Sequence, residues 1–220
     1  MKRLTLKSWA CINSLLIAML AVTILLTLNI GSEHVSIFKS GLSETEHSII
    51  FYSRLPRILL GMLVGIALGS GGTAFQALLR NPLADPYILG VSGGAALGSV
   101  IGLALHLPFV AVALTAFAAS FVTMLFIYWA SLYHGKLPAH TLLLTGVIFN
   151  AFAFAFIMLI HSLVTMEQAH EILFMLIGNL EIQNYHAILT VAIAVLVGFV
   201  SLCILSPKLT IISHLPQPSI

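Results

Sequence analysis

The chain has 220 residues, of which 60% are hydrophobic and 7% charged, with a mean hydropathy of +1.09 and a formal net charge of +2. Soluble domains carry about a quarter charged residues, so this composition excludes one and describes a membrane protein. Nine scattered Lys and Arg residues form no face that could neutralise a row of phosphates, which excludes nucleic acid as a partner.

A helix needs roughly 20 apolar residues to cross a hydrocarbon core of about 30 Å. Six runs meet that length: Trp9 to Ile30, Ile58 to Leu79, Tyr87 to Leu107, Phe109 to Tyr133, Thr141 to Val164 and His186 to Ser206. The first follows Lys2, Arg3 and Lys7, as a signal peptide would. Its apolar stretch is too long for one and no A-x-A site follows, so it is read as a span. Between the second and third runs stands "RNPLADP", residues 80 to 86. Pro82 and Pro86 force Asn81 and Asp85 out of helical geometry, which predicts a tight hairpin with Asn81 or Asp85 capping the next helix.

Glycines recur at fourfold spacing on both sides of this hairpin: Gly61, Gly65 and Gly69 before it, Gly90, Gly94, Gly98 and Gly102 after it. Residues four apart share a helix face, so each series is read as a helix-packing groove, the device by which helices approach closely in lipid. Gln76 and Asn150 lie inside spans and are read as interhelical hydrogen-bonding groups. No Asp, Glu, Lys or Arg lies well inside a span, so the sequence offers no ion-coupling carboxylate. The segment "ILFMLIG", 172 to 178, is too short to span and predicts a short outer helix or a re-entrant piece.

Charge bias sets the orientation. With a cytoplasmic amino terminus the inner loops carry Lys2, Arg3, Lys7, Arg80, Lys136 and Lys208 against Asp85 alone. The outer loops then carry Lys39, Arg54 and Arg57 against six Glu. Both termini are therefore expected in the cytoplasm.

Several chemistries lack their residues. Cys11 and Cys203 lie in separate apolar runs, and the histidines, His134 and His140 included, form no metal-ligand pattern, so neither metal nor cofactor is expected. "GVSG" at 90 to 93 has the G-x-S-G form of a rhomboid protease, with His140 or His161 as candidate bases for Ser92. The upstream oxyanion element is missing, which leaves an intramembrane protease as a remote alternative.

The whole of residues 54 to 98, from R-L-P-R through the glycine-rich helix and Q to N-P-L-A-D-P and G-G-A-A-L-G, closely resembles the FecCD-type permeases. These are the membrane subunits of ATP-driven importers of iron siderophores, haem and cobalamin, and weaker matches continue at 142 to 150, 174 to 181 and 205 to 213. The resemblance implies an all-α polytopic bundle of the type II importer class and a permease domain over residues 1–213. It also implies a non-enzymatic role beside separate ATPase subunits, a homodimer in membrane lipid, and a periplasmic or lipid-anchored substrate-binding protein. It further implies that Arg54 and Arg57 dock the binding protein, with interfacial anchoring of the second span as the plainer reading. Asn81 and Leu83 would form one cytoplasmic constriction and Thr141 a second. Such permeases run to about ten spans, whereas six are read here. Residues 214–220, "HLPQPSI", stand where an acidic coupling segment is expected. The sequence therefore reads as a truncated or frameshifted product, or as half of a split permease that does not drive uptake alone.

Overall fold

The computed structural model describes residues 5–31, 33, 43–82, 84–87, 89–132, 138–178, 180 and 184–214, the side chains of 139 and 208–214 excepted. Leu83, His134, Lys136 and residues 215–220 lie outside the described residues. All regular structure described is helical: α1 (Leu6–Asn29), α2 (Glu44–Ile49), a π-turn (Ile50–Arg54), α3 (Leu55–Leu79), α4 (Val91–Ala104), α5 (Phe109–Ser131), α6 (Ala139–Leu163), α7 (Met166–Ile177) and α8 (Tyr185–His214).

Five segments are long and apolar enough to cross a membrane: α1, the continuous stretch Glu44–Leu79, α5, α6 and Tyr185–Pro207 of α8. Their apolar surfaces are almost wholly exposed within the chain, a state that hydrocarbon stabilises and water does not. Hydroxyls on these helices bond the carbonyl one turn back, as Thr23 does to Met19 (2.9 Å), Thr27 to Thr23 (2.8 Å) and Ser201 to Val197 (2.7 Å), so lipid meets satisfied polar groups. The expected third span is different. Its helix, α4, holds 14 residues, a rise of about 21 Å.

The chain divides into two compact units, Met1–Val64 with Leu180–Ala192, and Gly65–Asn179 with Ile193–Ile220. The first contains an unusual helix start. Pro56, buried in the first turn of α3, has no N–H to donate and would clash with the carbonyl four residues back in a regular helix. The preceding residues widen into the π-turn instead, with Leu55 N–H reaching Ile50 O. In that register the carbonyl facing the missing donor belongs to Phe51, and the Tyr185 hydroxyl donates to it.

In the second unit α4 is the central helix, packed on α5 and α6 and touching α7. Its carboxyl-terminal half builds the core, where Val100, Ile157 and Ile172 are buried together among Leu97, Leu103, Met158 and Leu176. Its amino-terminal end lies beside the interior turns of its neighbours. Gly90 sits against Ile127, about one turn from the end of α5, and against Gly146, about two turns into α6. The roughly 10 Å of α6 before Gly146 and the roughly 21 Å of α4 together match one bilayer crossing. Gly90 thus shelters against α5 and α6, as non-helical backbone at the start of a membrane helix requires.

Candidate functional site

The described residues of the "RNPLADP" turn are held by local bonds. α3 ends at Leu79, and Arg80 takes a left-handed conformation (φ 51°) that reverses the chain. Asn81 N–H returns to Gln76 O (3.3 Å) and Ala84 N–H to Asn81 O (3.1 Å). Pro82 is exposed and Pro86 half-buried. The Asp85 carboxylate accepts from Tyr87 N–H (2.5 Å), an Asx-turn, so Asp85 shapes the loop and does not cap α4. Asn81 does not cap it either. The N-cap is Gly90, whose φ of 79° favours glycine and which offers no side chain. Ala84 and Leu89 are buried, at 1% and 4% exposure, while Pro82, Asp85 and Tyr87 are exposed, so two side chains anchor the turn in its unit. Asn150, from the middle of α6, donates to Tyr87 O (2.6 Å) and holds the last bend before α4. The amide read from sequence as interhelical glue thus bonds a turn backbone.

The two glycine series differ in their surroundings. A Cβ added at Gly98 would stand 2.5 Å from Thr115 O and from Ala119 Cβ, and one at Gly102 would stand 2.7 Å from Thr115 Oγ1. Gly94 faces Thr123 in the same way. α4 and α5 therefore meet backbone to backbone along this face. Gly65 and Gly69 of α3 have nothing within 4 Å, and Gly61 has only Leu180 Cδ1 at 3.8 Å. The first series is an open face among the described residues.

At the carboxyl end of α4 the chain ends its helix with Leu107 N–H bonded to Gly102 O (3.1 Å) and His106 left-handed (φ 55°). Here Gln168 of α7, 7% exposed, donates its Nε2 to Leu103 O (3.2 Å) and Ala104 O (3.3 Å). Its Oε1 accepts from Thr165 N–H (3.3 Å), while Gln168 N–H returns to Thr165 Oγ1 (3.4 Å), closing a capping box. Sequence reasoning passed over Gln168, although the T-x-x-Q string at 165 to 168 is the signature of such a box.

In the first unit Arg54, half-buried at the end of the π-turn, donates to the backbone carbonyls of Leu28 and Glu33 and lies across Gly31. Its guanidinium fork satisfies carbonyls where α1 runs out of partners. Arg57 is exposed. Thr141 stands half-buried in the first turn of α6, where its carbonyl accepts from Thr145 Oγ1 (2.8 Å). Ser92 Oγ and His161 Nε2 are both buried with no hydrogen-bond partner, so the nucleophile–base pair that a serine protease requires is not assembled. Among the described residues no three His, Cys, Asp or Glu side chains come together as a metal site.

This arrangement of a glycine-faced short helix behind a proline-bound turn can be set against known proteins. The model of the FecCD transport family matches residues 15–215. The chain belongs to that family. An uncharacterized ABC transporter permease protein of Bacillus subtilis is 36% identical over 215 residues, covering 89% of this chain and 61% of the relative. The ferric enterobactin transport system permease FepD of Escherichia coli is 32% identical over 90% of this chain and 62% of its own. The cobalamin import system permease BtuC of Halobacterium salinarum is 35% identical over 72% of this chain and 43% of its own. A solved structure described as an inward-facing conformation of a protein assigned as a metal-chelate type ABC transporter superposes with a TM-score of 0.77 at 27% identity, covering 90% of this chain and 63% of that one. This FecCD chain thus spans about two-fifths to three-fifths of the length of these curated relatives.

Proposed function

We propose that this FecCD chain forms the permease part of an ATP-driven importer in the bacterial inner membrane that carries iron-siderophore, haem or cobalamin-type chelates into the cytoplasm. The match over residues 15–215 to relatives named for such transport carries the reading. ATP is hydrolysed on separate subunits, a substrate-binding protein delivers the chelate, and a second permease copy completes the pathway. In this reading the turn holding Asn81, Pro82, Leu83 and Pro86, with Thr141 of α6, narrows the cytoplasmic end. The packed Ala84 and Leu89 support that role, since a constriction must keep its shape while substrate passes. Arg57, exposed, meets the carboxylates of the binding protein. Arg54 sets the end of α1 beside it, and one of its donor faces serves docking only when its backbone bonds open. Both termini are cytoplasmic.

A clean deletion of the coding sequence tests the proposal. Uptake of one labelled chelate, among ferric siderophores, haem and cobalamin, should fall to background and return on complementation. Undiminished uptake of all of them would instead favour a non-transporting membrane fragment.

A further inference from the structure

α4 takes little from its own sequence to close its ends. Its N-cap has no side chain, and its last carbonyls, beyond the local returns of His106 N–H to Leu103 O and Leu107 N–H to Gly102 O, take a side-chain donor from another helix. At the inner end Asn150 of α6 holds Tyr87 O at 2.6 Å; at the outer end Gln168 of α7 holds Leu103 O and Ala104 O at 3.2 and 3.3 Å. Between these ties α4 meets α5 through glycines on which short α5 side chains, Thr115, Ala119 and Thr123, seat, and meets α6 and α7 through Val100, Ile157 and Ile172. The two faces restrain α4 unequally. The outer core joins it to α7, while its inner end depends on close backbone approach and one amide.

We propose that Gln168 is a positioning residue that fastens α7 to the carboxyl end of α4, so that α4 acts as a strut setting the packing of the inner turn at residues 84–90. The physical grounds are three. Gln168 is buried and spends both halves of its amide, the oxygen inside α7 and the nitrogen on α4, so it is the polar link between the two. A hydrogen-bonded helix of 14 residues resists axial compression, so a shift at Leu103 arrives at Gly90. Gly90 is contiguous with Leu89, which is a buried apolar side chain of the turn. The use of this linkage rests on the permease reading, in which α7 lies on the side where a binding protein docks and the turn lies at the opposite end of the pathway.

The test separates α7's own stability from its tie to α4. Gln168→Glu keeps an acceptor for the capping box but removes the donor and sets a negative charge against helix carbonyls. In a Cys11→Ser, Cys203→Ser background in lipid nanodiscs, Ala84→Cys reports exposure of the turn by its maleimide labelling rate. Ala153→Cys, at a buried α6 position 1% exposed, reports general loosening. Gln168→Glu should speed labelling at position 84 by about fivefold or more, matching a loss of roughly one neutral hydrogen bond, while position 153 stays within about twofold. Asn150→Ala, which releases the inner tie directly, should give at least as large a rise at 84. An unchanged rate at 84 in Gln168→Glu while Asn150→Ala raises it would overturn the strut, as would equal acceleration at 84 and 153. Neither ATPase nor binding protein enters this measurement, so its result stands apart from that of the uptake experiment.

Discussion

Pro56 shows how one residue can rewrite a helix and recruit another to repair it. The ring removes a donor, the backbone widens into a π-turn, and the carbonyl left over at Phe51 accepts from Tyr185, 134 positions away. Tyr185→Phe should therefore lower stability by about 1 kcal/mol, read as a drop in the thermal midpoint in detergent. In a Pro56→Ala background, where the chain can return to an ordinary helix with its own donor, the same substitution should cost much less. Equal costs in the two backgrounds would show that the hydroxyl does not replace the missing N–H. Residue chemistry was only partly legible beforehand. The R-L-P-R string marked a boundary, but a proline in a helix is compatible with a kink, a stop or a π-turn, and the choice depends on which acceptor the rest of the chain can satisfy. The resemblance implies a docking role for Arg54; in the structure its guanidinium bonds the carbonyls of Leu28 and Glu33, because the end of α1 presents acceptors without helical partners.

At the scale of elements, two glycine ridges that read alike in sequence have different roles. Gly98→Ala forces a methyl against Thr115 O and Ala119 and should destabilise the chain by about 1 to 3 kcal/mol. Gly65→Ala fills open space in a helix interior and should be neutral or stabilising by up to about 1 kcal/mol in the isolated chain. Thermal midpoints of both variants in one detergent decide the matter, and a Gly65→Ala penalty as large as that of Gly98→Ala would show that the α3 face is packed. Spacing reveals a face but not its neighbour, which is why both series looked equivalent. Length was similarly incomplete as a guide. Residues 87 to 107 are apolar enough to span, yet the helix begins only at Val91, because the left-handed Gly90 and the Asn150 tie fix the backbone before it in a turn.

For the whole molecule, five long apolar helices and membership of the FecCD transport family make this a multi-pass membrane protein. The positive-inside bias then predicts which ends face the cytoplasm. In the cysteine-free background, Lys7→Cys should react with an impermeant maleimide only after the cytoplasmic side is opened, and Glu167→Cys at the start of α7 should react from outside intact cells. Both positions are exposed, so access from the opposite sides would invert the topology and the placement of the inner turn with it.

Composition and apolar run length by themselves determined the solvent, the helical class and most helix positions, because a bilayer demands long runs of satisfied backbone and leaves few alternatives. The fourfold glycines, the N-P-L-A-D-P turn and the short helix at 166 to 177 were legible for the same reason, as local chemistry with local consequences. Tertiary structure alone decided that α4 is short, that one glycine face is filled and the other open, and that Asn150 and Gln168 close helix ends not their own. Each of these depends on a partner more than 60 residues away or on the space beside a helix, and hydrogen-bonding groups in a chain do not announce which distant carbonyl they will meet.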